Sequence, residues 1–322
     1  MRRFTVYRLH FEEPLHISSA REDYSDSARF VHSDTFYAAL TQTWHLLHPD
    51  TPWEPDFRIS SLFPFLKTND KIHYYFPKPK WPVIVENDRD VDIKKMKKIR
   101  WLEKDAFEAL LKGENIFLRE WSPSPLTPSH SAFFPFAGET GQMAIYKSSL
   151  LTRVQVPRDL SKDSEPFPFE KIYFTKQAGL FFLLEGDTKD LEQLLDLMSK
   201  TGLGTDRTYG YGFFKYEKDE ISLDIPADGE YQTNLSLFLP QTGTFDFGRV
   251  KYYGLLKRGG HISSFPYYSL RKKNVYMFEE GSVFDNNLNT EGNTVDLRPG
   301  NLVDHPVYRN GHAIFVPMKA LQ

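Results

Sequence analysis

The chain has no cysteine among its 322 residues. That excludes disulfides, thiolate zinc sites and cysteine nucleophiles together. It has no apolar run of membrane-spanning length and no apolar segment near its start of the kind a secretory signal needs. A cytoplasmic chain without membrane contact is therefore expected. No Gly-Lys-Ser/Thr sequence occurs, and no His-x-x-x-His pair has a glutamate beside it, so the usual phosphate-loop and zinc-protease signatures are missing. A large excess of either charge is missing too: 40 Lys and Arg face 43 Asp and Glu, for a formal net charge of −3. A protein that holds RNA by bulk charge alone is more basic. Near-neutrality suits a subunit whose acidic faces meet other proteins. Basic residues cluster only locally, in the run from Lys94 to Arg100 and at Arg271-Lys272-Lys273.

Aromatic residues are abundant, with 27 Phe and 17 Tyr, and the hydrophobic share is 40%. This composition builds strands and a full core, and the length accommodates two domains. Four of the 19 glycines fall between Gly202 and Gly212, as Gly202, Gly204, Gly210 and Gly212. Upstream, Leu191, Leu194, Leu195 and Met198 follow a helical period. Downstream, Phe213-Phe214-Lys215-Tyr216 is short and aromatic, which predicts a strand. The order is thus helix, glycines, strand, whereas nucleotide-phosphate loops run strand, glycines, helix so that phosphate meets a helix N-terminus. A nucleotide loop is excluded on that ground.

Along the chain, Phe4–Phe11 reads as a first strand. A helix follows, capped by Ser33 and presenting Phe36, Leu40, Thr43 and Leu47 on one face. Residues 72–76 predict a strand, 92–112 a basic amphipathic helical segment, and 121–142 a long Pro/Ser/Gly-rich loop. Residues 172–174 and 179–185 predict a hairpin that leads to the second helix. The acidic stretch 217–230 reads as a linker, and strands are expected at 235–238, 275–278 and 313–316. The fold class is α+β. Residues 1–220 form a βαββαβ ferredoxin-like unit with an insertion at about 80–170, and residues 221–322 form a second, β-rich unit.

Pro14-Leu15-His16-Ile17-Ser18, His32-Ser33-Asp34-Thr35-Phe36, Phe76-Pro77-Lys78-Pro79, the stretch Arg153 to Arg158, Ile172-Tyr173-Phe174, the glycine loop and the stretch Gly300 to Arg309 occur in that order. In order and spacing the chain resembles the RAMP superfamily of CRISPR effector proteins. More closely, it resembles the fourth subunit of the type III-A (Csm) interference complex. The resemblance implies two ferredoxin-like (RRM-like) halves, the second degraded, and a glycine-rich loop before the last strand of the first. It implies binding of the guide RNA at its 5′ tag, and contact with the large polymerase-like signalling subunit and with the backbone RAMP subunit. It implies no catalytic residues, no metal and no cofactor.

Candidate RNA contacts are Gly202, Gly204, Arg207, Tyr209, Gly210 and Gly212 in the loop. Four glycines favour close backbone approach to a ligand, where a helix cap at Gly202 alone would need one. Arg207 suits a phosphate and Tyr209 an unstacked base, while Tyr211 suits packing at a strand entry. His16, Ser18 and Arg21 follow the first strand and suit phosphate or 2′-hydroxyl groups. Arg153, Arg158, Arg271, Lys272 and Lys273 are further phosphate candidates, each with the alternative of a solvated charge. Two other readings stand beside RNA holding. One is a metal-independent endoribonuclease using His16 or His32 as acid–base group, and the other a scaffold that touches only protein.

Overall fold

The computed structural model describes residues 1–18, 24–68, 71–82, 99–114, 132–134, 145–157, 159, 163–187 and 189–321. The first elements are β1 (Arg2–Phe11), α1 (Ser33–Leu47), β2 (Phe57–Ile59), β3 (Phe63–Lys67), β4 (Ile72–Pro77), β5 (Ile99–Glu103), α2 (Lys104–Leu111) and β6 (Ala132–Phe134). Then come β7 (Tyr146–Gln155), β8 (Glu165–Phe174), β9 (Ala178–Gly186), α3 (Leu191–Thr201) and β10 (Phe214–Leu223). The remainder is all strands and short 3-10 turns: β11 (Tyr231–Asn234), β12 (Val250–Tyr252), β13 (Leu255–Arg258), β14 (Val275–Phe278), β15 (Val283–Asp285), β16 (Thr294–Asp296), β17 (Tyr308–Asn310) and β18 (Phe315–Met318).

The main sheet has the order β10-β1-β9-β3-β4-β5-β6, with β2 also paired to β9. Its ladders are antiparallel apart from the parallel β5–β6 pair. The middle strand β9 is buried from Ala178 to Leu184, the mark of a strand covered on both faces. Successive strand residues point to opposite faces, and Phe181 and Phe182 show what covers each. Phe182 meets Phe36 of α1 at 4.9 Å and stacks on Tyr7 at 5.2 Å. Phe181 meets Phe76 at 5.4 Å, and Phe76 stacks on Phe107 of α2 at 4.8 Å. Helix α3 buries Leu191, Leu194, Leu195 and Met198, the face its sequence spacing predicts. Strands β7 and β8 form a separate two-stranded ribbon.

The later strands form a four-stranded sheet, β12-β15-β11-β18, and two hairpins, β13-β14 and β16-β17. Residues 202–321 contain no α-helix. Leu235, Val283, Ile314, Val316 and Met318 pack into the same core as Phe4, Leu9 and Leu195. A smaller aromatic core gathers Phe238, Phe278, Phe284 and Phe315.

A buried ionic knot ties the two regions together. Asp34 is fully buried at the first turn of α1. It accepts two hydrogen bonds from Arg258 (2.8 and 2.9 Å) and one from Arg309 (2.6 Å). Burial alone would raise the Asp34 carboxyl, but Arg309 and Arg258 hold it well below the usual carboxylate range. Lys272 lies in the same positive field. Burial first, and then the Arg309 charge, push its ammonium down to about 8.

Several expectations change. His32, not Ser33, is the N-cap of α1. Ser33 instead donates its backbone N–H to Ser61 and accepts from the Leu237 N–H, so it joins α1 to the later strands. Of the expected helical segment 92–112, residues 92–98 lie outside the described residues, Ile99–Glu103 is strand and helix begins only at Lys104. Most of the loop expected at 121–142 also lies outside the described residues, which resume there as the strand β6. Residues 172–185 are not a hairpin: β8 pairs with β7, and β9 pairs with β1, β2 and β3. The first half of the linker expected at 217–230 is β10, which runs to Leu223 along the whole of β1.

Candidate nucleic-acid interface

The glycine loop leaves α3 at Gly202 and turns back through a 3-10 turn at Arg207–Tyr209 before β10. Gly202, Gly204, Gly210 and Gly212 all have positive φ, between +73° and +94°, the region where a Cβ is costly. Three of them face their own protein. A Cβ on Gly202 would strike the Tyr211 carbonyl, and one on Gly204 would lie 2.5 Å from the His16 carbonyl. One on Gly212 would lie 2.8 Å from both C and N of Leu203. Only Gly210 opens into empty space.

Five of the loop's amides are spent in the same way. The N–H groups of Leu203, Thr205, Tyr209, Gly210 and Gly212 donate to Gly212, His16, Asp206, Arg207 and Pro14 respectively, at 2.9–3.0 Å. The loop is therefore an internally bonded turn resting on Pro14–Ile17, not an empty cradle of amides. What it offers outward is its tip, where Arg207, Thr208 and Tyr209 are exposed, Tyr209 to 75%. Among the described residues Arg207 makes no ion pair.

The ribbon supplies the neighbouring wall. Arg153 of β7 pairs with Asp206 and donates to the Tyr211 hydroxyl at 3.2 Å. Its guanidinium lies 3.9 Å from the centre of the Phe169 ring. Burial works against the Arg153 charge, and the Asp206 carboxylate more than restores it, so its pKa stands above the ordinary value. Lys171 of β8 lies over the Tyr211 ring at 4.5 Å, within cation–π range. Arg153 is thus a positioning group: it pins the loop, and its carboxylate partner competes with any phosphate. Asp206, Lys171 and Phe169 escaped the sequence reading. The one signal was Asp206 itself, an aspartate between glycines, a residue type that tolerates the left-handed φ of +60° found there.

The other sequence candidates separate. His16 is fully buried, stacked on Phe169 at 4.4 Å, with Nδ1 2.7 Å from the Glu170 carbonyl. Burial lowers its pKa. Its carbonyl supports Thr205 and its ring faces no solvent, so the structure packs it inside rather than presenting it to a ligand. Ser18 is exposed beside it. Arg21 and Arg158 lie outside the described residues. His32 is held by Glu280 at 2.8 Å. Arg271, Lys272 and Lys273 stand on the β13–β14 hairpin, which Arg258 fastens to α1.

A family model described as the CRISPR Csm4 C-terminal domain matches residues 227–318. The protein named CRISPR system Cms protein Csm4 of Methanocaldococcus jannaschii is 24% identical, over 90% of this chain and 91% of its own length. Its Thermococcus onnurineus namesake is 27% identical over 79% and 81%. The chain resembles the Csm4 proteins over most of its length. The Mycobacterium tuberculosis Csm4 protein is 30% identical, over 49% of this chain and 53% of its own. Solved structures share the Csm4-like fold. A chain of the Csm3-Csm4 subcomplex of the type III-A interference complex superposes with a TM-score of 0.64, at 19% identity, over 98% of this chain and 99% of that one. A chain of a Csm1-Csm4 cassette in complex with pppApA gives 0.61 at 20% identity, over the full length of both. The stretch matched to the Csm4 C-terminal domain contains the cations of the buried knot, Arg258, Lys272 and Arg309.

Proposed function

We propose that this chain is a non-catalytic RNA-binding subunit of a type III-A CRISPR effector. In this reading it holds the 5′ tag of the guide RNA and bridges the large polymerase-like subunit to the backbone RAMP subunits, in the cytoplasm. The Csm4 likeness supports the assembly role, since the relatives of matching fold are solved with Csm1 and with Csm3. The sheet order β10-β1-β9-β3, with α1 after β1 and α3 before β10, supports a ferredoxin-like first unit over 1–220. The second unit, over 221–322, is its strand-built companion.

The observation that carries the RNA reading is the rim formed by Arg207, Tyr209, Tyr211 and Lys171. It presents exposed cation and ring side by side, on a loop already pinned by Arg153 and Asp206. Aromatic faces beside cations suit unstacked bases and their phosphates. Arg207→Ala with Tyr209→Ala is the direct test, because both side chains are exposed and the packed glycines stay intact. Assembled with its partner subunits, the double variant is expected to retain at least about tenfold less guide RNA at fixed salt. Wild-type guide occupancy, together with no cross-link from the loop to the 5′ tag, refutes the assignment.

A further inference from the structure

From Phe247 to Phe278 the chain carries seven Lys or Arg and not one Asp or Glu, within a protein whose net charge is −3. Much of this stretch is one hairpin. The β13–β14 ladder pairs Lys257 with Tyr276 and Arg258 with Val275. Beyond it, His261 bridges Arg271, and the Ile262 N–H donates to the Leu270 carbonyl at 2.9 Å. The base is fixed by Arg258 on Asp34. The outer part is fixed by Gln42 to Ser263 (2.9 Å) and by Ser264 against His305 (2.7 Å).

On this anchored frame, large rings face water. Phe265 is 80% exposed, Tyr276 60% and Tyr268 59%. Single exposed aromatics are ordinary, but several on one hairpin are not. Lys257 is exposed directly across the ladder from Tyr276, and Lys273 is exposed where the second strand begins. Neither has an acidic partner within ion-pair distance among the described residues. Flat rings alternating with unpaired cations on a preorganised hairpin meet both needs of a single-stranded polyanion: stacking for its bases and charge for its phosphates. A protein partner of aliphatic character fits less well, since Leu255 is the one large aliphatic exposed on the paired strands.

We propose that the hairpin Leu255–Phe278 is a second RNA-binding surface, apart from the glycine loop, which stacks unpaired bases on Phe265, Tyr268 and Tyr276 and holds phosphates with Lys257 and Lys273. It shares with the proposed function the class of ligand and Lys273, already named as a phosphate candidate. The test uses the purified full chain and a fluorescent oligouridine, titrated at several salt concentrations. Phe265→Ala/Tyr268→Ala/Tyr276→Ala is expected to weaken binding about a hundredfold, at about fivefold or more per stacked base. Lys257→Glu/Lys273→Glu is expected to reduce the salt slope by about 1.4, or about 0.7 for each lost phosphate contact. The Arg207→Ala/Tyr209→Ala variant serves as the contrast: the two surfaces are separate if its loss multiplies with that of the hairpin variants. If the loop variant binds normally and the hairpin variants do not, this assignment stands, and the loop is decided by guide occupancy in the assembled complex. Unaltered binding by both hairpin variants overturns the proposal, as does no measurable binding by the unmodified chain. Normal RNA binding with lost assembly onto partner subunits overturns it in favour of protein docking.

Discussion

Replacing Asp34 by asparagine keeps the size and one acceptor oxygen but removes the charge that two arginines share. In the native protein the carboxylate is wholly buried, and the Arg309 and Arg258 side chains are only 6% and 14% exposed. Asp34→Asn leaves both guanidiniums without the carboxylate they bond, with the field of Glu280 still favouring Arg258 and the Lys272 ammonium adding to the repulsion. Breaking one partner of a buried ion pair costs about 3–5 kcal/mol. Loss of an acidic side chain from the first turn of α1 contributes about 0.3–1 kcal/mol of the same sign. A loss of roughly 4 kcal/mol is a large share of the 5–15 kcal/mol typical of a folded domain. Urea unfolding measures the total, and hydrogen exchange shows where it falls. The hairpin Leu255–Phe278 is expected to lose protection first, because Arg258 ties its base to α1. The native contribution of Asp34 is present above the ordinary aspartate pKa of about 3.9. It fades only as pH falls below that value toward the strongly lowered folded pKa, so wild type and variant converge only in strong acid. A loss below about 1 kcal/mol at pH 7, or unchanged exchange in 255–278, refutes the reasoning.

Three further outcomes follow from the same geometry. Gly212→Ala forces a Cβ against the Leu203 backbone and is expected to cost well over 3 kcal/mol or to prevent folding, whereas Gly210→Ala, in open space, costs about 1–2 kcal/mol; equal thermal shifts for the two contradict this account. Lys272→Met removes a partly buried cation whose folded pKa of about 8 lies below its unfolded 10.5. At about 1.4 kcal/mol per pKa unit, the variant gains up to about 3 kcal/mol below pH 8. The wild type gains stability as pH rises from 8 to 10.5, because the unfolded chain binds the extra proton there, so the advantage of the variant disappears across that window in pH-dependent melting. Arg153→Lys keeps the charge but loses the fork that reaches Asp206 and Tyr211 together, and faster exchange of the Tyr209–Gly212 amides is the expected readout.

Local pattern carried some elements and failed at others for identifiable reasons. Helix α3 was legible because four apolar residues at helical spacing find one continuous core, and its buried face is the one the spacing predicts. The segment from Ile99 to Glu103 was not, since its ladder to β4, Phe76 opposite Leu102, outweighs a basic amphipathic pattern. The strand β9 reads locally as half of a hairpin, yet its partners lie far off, with Leu180 opposite Leu9, and register of that kind leaves no local trace. The glycine cluster was visible as a special turn. That its glycines answer to their own backbone could not be read without knowing that Leu203, His16 and Tyr211 close on them. Arg153 lies 53 residues before Asp206, and only the β7–β8 ribbon brings the two together.

The shared core sets a condition on synthesis. Phe4, Leu9 and Leu195 pack into one cluster with Ile314, Val316 and Met318, and Arg2 donates to the Phe315 carbonyl at 2.9 Å. When a ribosome has just released β10, the first sheet is complete as a ladder but still open along the side that β18 and its neighbours will cover. At about 5–20 residues per second, the wait until Phe315 emerges is roughly 5–20 s. During that interval a half-covered aromatic sheet is exposed to solvent, open to chaperones and to association with other nascent chains.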